Sequence, residues 1–294
     1  MIIVKVIGGL GNQMFQYALG HALSINLGVD FKLDISSFYR QQIHNGFELE
    51  KIFNCKVDIA TQQDINNILS WQSLPIINKF IASKYFSWLR KKTFIIEPHY
   101  HYWEKVWNIP DNSYLVGYWQ SEKYFKNVKE QINKDFIFKS PLDDKNIYYT
   151  ELIQKYNSVS IHVRRGDYIK NVRANKTHGI CGNEYYDKAL AFILKKVKNP
   201  HFFIFSDDIA QARSIIKRIN SPYYFVDNNK EIYSYNDMRL MSLCKNNIIA
   251  NSSFSWWAAW LNSNQGKIII APKQYIADKS YNIKDLFPLE WVKI

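Results

Sequence analysis

Cysteine is scarce. Cys55, Cys181 and Cys244 are the three in the chain, far apart and odd in number, with no Cys-x-x-Cys pair and no histidine at zinc-like spacing. A disulfide framework and a zinc module are therefore excluded, and a reducing compartment is the simpler expectation. Long apolar runs are missing too: no segment reaches the roughly 18 to 20 apolar residues that a bilayer-spanning helix needs. Met1 to Ile7 lacks the basic start and small-residue cleavage site of a signal peptide and runs directly into Gly8-Gly9, so a cytosolic protein is expected. Internal repeats and low-complexity tracts are likewise absent.

Acidic residues are outnumbered, 26 against 38 Lys and Arg, for a formal charge of +12. A field of that sign favours nucleic acid, an acidic membrane surface or a phosphorylated substrate. The densest basic clusters, Arg90-Lys91-Lys92 and Lys195-Lys196, are short, so a nucleic-acid arm is not indicated. A loose peripheral attraction to the cytoplasmic face of a membrane remains compatible with the charge. With 294 residues, 47% of them apolar and 22% charged, the composition is that of a globular protein of one large or two modest domains. Aromatic residues are plentiful, 20 Tyr, 18 Phe and 9 Trp; most are expected in the core, and some offer flat faces to a base or sugar.

The chain opens as strand, glycine loop and helix. Ile2 to Ile7 is apolar and β-branched, Gly8, Gly9 and Gly11 form the loop, and Phe15, Leu19, Ala22 and Leu23 recur at helical spacing. Phe31 to Asp34 completes a βαβ unit, which predicts a parallel sheet. Residues 58–107 mix polar helix-like turns with aromatics and show no single period. From Val159 on, Val159–Val163, Phe202–Phe205, Tyr223–Val226, Asn247–Ala250 and Lys267–Ala271 read as short buried strands. Helical patterns lie between them, one of them carrying Tyr186, Leu190, Ile193 and Val197 as a single apolar stripe. Two α/β domains are expected, 1–155 and 156–294, joined near the polar stretch Ser140 to Ser158.

Four segments carry chemistry. The loop at Gly11, Asn12 and Gln13 either cradles a phosphate at a helix N-terminus or merely packs a helix on a sheet. It lacks the Gly-Lys-Ser/Thr ending of a P-loop, and Met14 replaces the third glycine of a dinucleotide fingerprint. The run His162-Val163-Arg164-Arg165-Gly166-Asp167-Tyr168 sets charges at the end of a buried strand, where charge needs a reason. A guanidinium fork at Arg164 suits a diphosphate, whereas Arg165 and Asp167 are also readable as an ion pair that fixes a loop. Asp207 and Asp208 end another strand. Asp208 reads as a helix cap, and Asp207 as a cap, a metal ligand or the acceptor of the paired donors of guanine. With arginines present to neutralise a diphosphate, no metal is expected. Asn251, Ser252, Ser253 and Phe254 form a hydroxyl-rich turn opening a helix, and Trp256, Trp257 and Trp260 read as its packing residues. Glu97, His99 and His101 alternate as in a strand and read as acceptor contacts or packing. Tyr118, Trp119 and Gln120 combine aromatic faces with an amide, as a sugar groove does.

Together, Gly9 to Ala18, Gly117 to Phe125, His162 to Tyr168 and Asn251 to Leu261 resemble the bacterial α-1,2-fucosyltransferases of glycosyltransferase family 11 over the full length. The resemblance implies a GT-B-like α/β fold, two Rossmann-type domains with parallel sheets facing a cleft, the second domain holding the donor and the first the acceptor. It implies inverting transfer of L-fucose from GDP-β-L-fucose to the 2-hydroxyl of a terminal galactose, without a metal or other cofactor. Arg164 would bind the β-phosphate, His162 and Asp207 the ribose and guanine, and Ser252, Ser253 and Phe254 the diphosphate side. Asp167 is the nearest candidate base in the motif, although a dissociative transition state needs little activation of the acceptor. Another GDP-fucose-dependent transferase, with a different linkage or acceptor, is the alternative enzyme; a basic nucleic-acid-binding protein is the alternative of another class.

Overall fold

The computed structural model describes residues 1–40, 45–165, 179–216 and 219–294. Two compact units divide these residues. The first comprises Met1–Lys139 with Lys284–Leu286, the second Ser140–Ile283 with Phe287–Ile294. The division falls earlier than the boundary expected after residue 155. Helix Asp144–Lys155 lies beyond it and packs on helix Tyr235–Leu243, so it belongs to the second core.

The first unit is built on a four-stranded sheet ordered β2-β1-β4-β3, made of β1 (Ile2–Lys5), β2 (Phe31–Asp34), β3 (Phe94–Ile96) and β4 (Ser113–Val116). Every pairing is parallel. The three apolar residues of β1 are fully buried, as a strand covered on both faces requires. Helix α1 (Leu10–Leu27) follows and ends at Gly28 in the left-handed conformation, the usual C-terminal stop. Two features escaped the sequence reading. Helix α2 (Gln62–Leu69) starts at a capping box in which Thr61 and Asp64 bind each other's backbone. Helix α3 (Pro75–Ile81) has proline in its first turn, where no backbone donor is lost.

The second unit holds a six-stranded parallel sheet of β5 (Asn157–Val163), β6 (Pro200–Ser206), β7 (Tyr223–Val226), β8 (Asn246–Ile248), β9 (Ile269–Ala271) and β10 (Val292–Lys293). The order is β10-β9-β8-β5-β6-β7. Taken from β7, the strands run third, second, first, fourth, fifth, sixth in chain order, the doubly wound Rossmann arrangement. The expected α/β, GT-B-like class of two parallel-sheet units is thus met. Helices α4 (Asp144–Lys155), α5 (Asn183–Lys196), α6 (Ile209–Ile216), α7 (Tyr235–Leu243) and α8 (Ser253–Leu261) accompany this sheet. Its core joins Val159, Ile161 and Val163 to Tyr186, Leu190 and Ile193 of α5, the stripe read from the sequence. Trp256, Trp257 and Trp260 of α8 are buried packing residues, also as expected.

Candidate active site

In an open parallel sheet the carboxyl ends of two adjacent strands part where the winding reverses, and ligands bind in the crevice left there. In the second unit that point lies between β5 and β8. His162, Arg164 and Arg165 stand at the end of β5, Asp207 at the end of the neighbouring β6, and Asn251 to Phe254 just beyond β8. Residues 42 and more apart in sequence are thereby gathered at one sheet edge.

The Asp207 carboxylate organises the edge. Its Oδ1 accepts the backbone N–H of Arg165 at 2.8 Å, and its Oδ2 lies 3.4 Å from Nε of Arg164. The pair is partly exposed, so its energetic worth is modest and its geometric effect is the larger. An Arg164 guanidinium held beside a carboxylate at its Nε has terminal nitrogens with which such a fork recognises a second anion bidentately. The Nε of Arg165 is buried and has no hydrogen-bond partner among the described residues. Asp167, expected as that residue's ion-pair partner and as candidate base, lies outside the described residues. Asp208 takes the capping role read from the sequence, accepting the N–H of Gln211 at 3.0 Å at the start of α6.

His162 is buried beneath the arginines. Burial, with a smaller contribution from Arg164, pushes its imidazole down to about 3, so the ring is neutral near pH 7. Its Nδ1 has no partner among the described residues, and its ring centroid lies 5.9 Å from that of Phe254. The strand below is fixed by Tyr186, whose hydroxyl donates to the His162 carbonyl at 2.9 Å. A buried neutral imidazole reads a ligand hydroxyl by hydrogen bonding; it does not supply positive charge.

The turn after β8 divides into structural and available parts. Asn251 is buried, and its Nδ2 donates to the carbonyls of Gly179 at 3.1 Å and Tyr275 at 3.4 Å. The side chain ties three loops together, which gives it a positioning role. Ser252 is the N-cap of α8, its Oγ accepting from the Phe254 N–H at 3.3 Å. Ser253 and Phe254 are half-buried in the first turn of that helix, where the backbone dipole favours an anion.

The first unit has a switch point of its own, between β1 and β4, and the remaining candidates gather there. Gly8 adopts a φ of 83°, and a Cβ on it would fall 2.6 Å from Nδ2 of Asn12, so only glycine fits. Gln16 bridges the two loops, its Oε1 accepting from the Ile7 N–H at 3.0 Å and its Nε2 donating to the Gly117 carbonyl at 2.9 Å. Gln120 donates to Oδ1 of Asn12 at 2.7 Å and accepts from the Tyr100 hydroxyl. Tyr118 is substantially exposed.

Three expectations fail at this edge. Gln13 is fully buried with both ends engaged, donating to the carbonyls of Gly8 and Gly46 at 3.1 and 2.8 Å and accepting from the Glu48 N–H at 3.0 Å. Gly11 is buried in the first turn of α1, so only its backbone is placed to meet a ligand there. Trp119 is fully buried with a left-handed φ of 57°, so it packs within the unit and presents no face to a sugar. Glu97, His99 and His101 do not alternate along a strand, because β3 stops at Ile96. The rings of His99 and His101 stack at 3.5 Å.

Glu97 is what the sequence reading undervalued. Its two carboxylate oxygens accept the backbone N–H groups of Tyr118 at 2.7 Å and Trp119 at 3.0 Å, holding the strained turn after β4. Burial pushes its carboxyl up to about 7 against the opposing pull of those two donors. An acid directly after the apolar run Phe94-Ile95-Ile96 was the available signal, but its partners, Tyr118 and Trp119, lie about twenty residues on and no local pattern announces them.

The family model described as glycosyl transferase family 11 matches residues 1–294. An alpha-1,2-colitosyltransferase of Escherichia coli is 35% identical over 300 residues, covering 100% of this chain and 99% of that protein. The O-antigen biosynthesis glycosyltransferase WbnK of the same species is 35% identical, covering 92% of this chain and 93% of its own. A galactoside alpha-(1,2)-fucosyltransferase 1 of Rattus norvegicus is 24% identical over 98% of this chain and 71% of its own length. Among solved structures, the fucosyltransferase NodZ from Bradyrhizobium superposes with a TM-score of 0.55 at 14% identity, covering 92% of this chain and 94% of its own. At that identity the likeness concerns the fold.

Proposed function

This chain belongs to glycosyl transferase family 11, and from that premise we propose that it is an inverting galactoside α-1,2-fucosyltransferase using GDP-β-L-fucose. The observation that carries the reading is the Arg164 guanidinium, braced by Asp207 at the switch point of a Rossmann-ordered sheet. In an oxocarbenium-like displacement most of the developing negative charge leaves with the diphosphate. A fixed cation and a helix N-terminus aimed at that charge stabilise the transition state more than the ground state.

In this scheme the second unit holds the donor. Arg164 takes the β-phosphate, and the first turn of α8, at Ser252, Ser253 and Phe254, faces the diphosphate. His162 and Asp207 attend to the nucleoside. A permanently charged arginine supplies what a divalent cation supplies elsewhere, so transfer proceeds without a metal. The acceptor galactoside belongs to the first unit's edge, with Tyr118 and Asn12 as its contacts and Gln120 orienting Asn12. Relatives named for α-1,2 transfer, and one named for O-antigen biosynthesis, support the linkage and a polysaccharide acceptor.

One observation favours a second donor. A colitosyltransferase matches the chain at 35% identity, against 24% for a fucosyltransferase. Colitose is fucose lacking its 3-hydroxyl, and a site that hydrogen-bonds a hydroxyl rejects the analogue without it far more strongly than the reverse. Incubating the protein with GDP-fucose or GDP-colitose and a β-galactoside, with and without EDTA, and locating the new linkage by NMR, tests both readings. Arg164→Ala is expected to lose about 100-fold or more in kcat while its thermal transition is preserved. A folded, active Arg164→Ala protein defeats the leaving-group assignment, and transfer from GDP-colitose alone replaces the donor.

A further inference from the structure

Between Asp64 and Glu97 the chain contains no acidic residue and five basic ones, Lys79, Lys84, Arg90, Lys91 and Lys92. The same stretch carries an unusual set of exposed side chains. Helix α3 is apolar on two faces: Ile77 and Ile81 turn inward onto the cluster of Ile65, Ile68 and Phe94, while Ile76 and Phe80, also one turn apart, turn outward. Ile76 is 86% exposed. The short helical segment Lys84–Leu89 that follows presents Tyr85 at 87% and Trp88 at 77%. Trp71 and Leu74, just before α3, are more than half exposed. Scattered exposed apolar residues are ordinary; six within eighteen positions, two of them tryptophans, are not.

We propose that residues 70–92 of the first unit form a docking surface for an anionic lipid bilayer. Tryptophan and tyrosine settle at the headgroup level of a membrane, where an apolar ring with a polar edge is best solvated, and isoleucine and phenylalanine reach just below. Lysine and arginine beside them meet anionic headgroups, and an acid-free segment meets them without repulsion. Arg90 is fixed on the carbonyls of Ile81 and Ala82, so it anchors the segment as well as charging it, and Lys92 is exposed. No helix among the described residues is long and apolar enough to cross a membrane, so this contact lies along the surface. A second copy of the chain fits less well, because a two-fold contact would set this cationic segment against itself. The surface does not depend on the sugar-transfer reading.

The test is co-sedimentation of the whole protein with vesicles of phosphatidylcholine, alone or mixed with phosphatidylglycerol, at low and high salt. Binding is expected only to the mixed vesicles and is expected to fall with salt. The Tyr85→Ala/Trp88→Ala double variant and Lys92→Glu should each weaken it about tenfold or more, since each cation near such a surface is worth about 1 kcal/mol. Leu289→Ala removes a side chain equally exposed in the second unit and should leave binding unchanged. All variants replace exposed groups and should melt with the parent. No binding to the mixed vesicles, equal loss with Leu289→Ala, or binding to RNA but not to vesicles overturns the proposal. So does concentration-dependent dimerisation that the double variant abolishes while vesicle binding persists.

Discussion

His162 and Glu97 are driven in opposite directions by one cause, since removal from water disfavours whichever form of a group is charged. The imidazole falls to about 3 and the carboxyl rises to about 7. For His162 the folded value lies below the unfolded one, so its contribution to stability is present above about pH 6.5 and is lost as pH falls toward 3. For Glu97 the folded value lies above the unfolded one. Its contribution is complete below about pH 4.5 and is lost as pH rises through 7, because over that interval the unfolded chain has released a proton that the native state still holds. Glu97→Gln titrates in neither state, and it replaces one carboxylate acceptor with an amide donor facing a backbone N–H. We expect this variant to be destabilised throughout. The deficit should be larger at pH 5 than at pH 8 by roughly a few kcal/mol, measured by urea unfolding at the two values. A deficit independent of pH would mean that the residue does not titrate in this window. Because Glu97 holds the turn that presents Tyr118, the same variant should raise KM for the acceptor more than it lowers kcat.

At the level of elements, the second sheet is stitched by a polar residue in a central strand. Asn247 of β8 donates to Oγ of Ser160 in β5 at 2.8 Å and to the Met241 carbonyl near the end of α7 at 2.8 Å, and it accepts from Nδ2 of Asn262 beyond α8 at 2.7 Å. Asn262 in turn donates to the Cys244 carbonyl at 2.8 Å. One buried amide thus fixes both strands that frame the switch point and the ends of two helices. Asn247→Val keeps the strand propensity and strands several buried partners, so a loss of about 3 kcal/mol or more is expected by thermal or urea unfolding. A loss below 1 kcal/mol would mean that water replaces the amide. Such ties are what the sequence conceals. The buried runs of β5 and β6, the α5 stripe and the His162–Arg165 motif follow local periodicities, and the structure has them within a few residues of where they were read. The pairing of β3 with β4 joins segments that are short and interrupted by aromatic turns, and the capping box Thr61-x-x-Asp64 uses an aspartate where glutamate is the usual signal. Gln13, Trp119 and Asn251 leave two roles open in the sequence for a single reason: at a strand's end an amide or indole serves equally well to bind a ligand or to tie loops, and only burial, which the structure supplies, bears on the choice.

Each unit has its own sheet and its own apolar cluster, which makes unfolding in one cooperative step an unsafe assumption for the whole chain. That separation makes the donor assignment testable without measuring catalysis. A ligand held only by the second unit stabilises that unit by mass action, by about 2.7 kcal/mol at a hundredfold excess over Kd. For a unit of this size the increment corresponds to a rise of roughly 5 to 10 °C in its melting temperature. Calorimetry with GDP is therefore expected to raise the transition of the second unit, UDP to raise it less, and EDTA to change neither. Hydrogen exchange should assign the protection to the backbone around Arg165, Asp207 and the first turn of α8, where the described donors converge. If protection concentrates instead at the Gly8 to Asn12 turn and Gly117, the phosphate cradle is the glycine loop of the first sheet and Arg164 is only a brace for Asp207. Equal stabilisation by UDP would remove the carboxylate of Asp207 as the reader of guanine while leaving the diphosphate reading intact, since the two recognise different ends of the nucleotide.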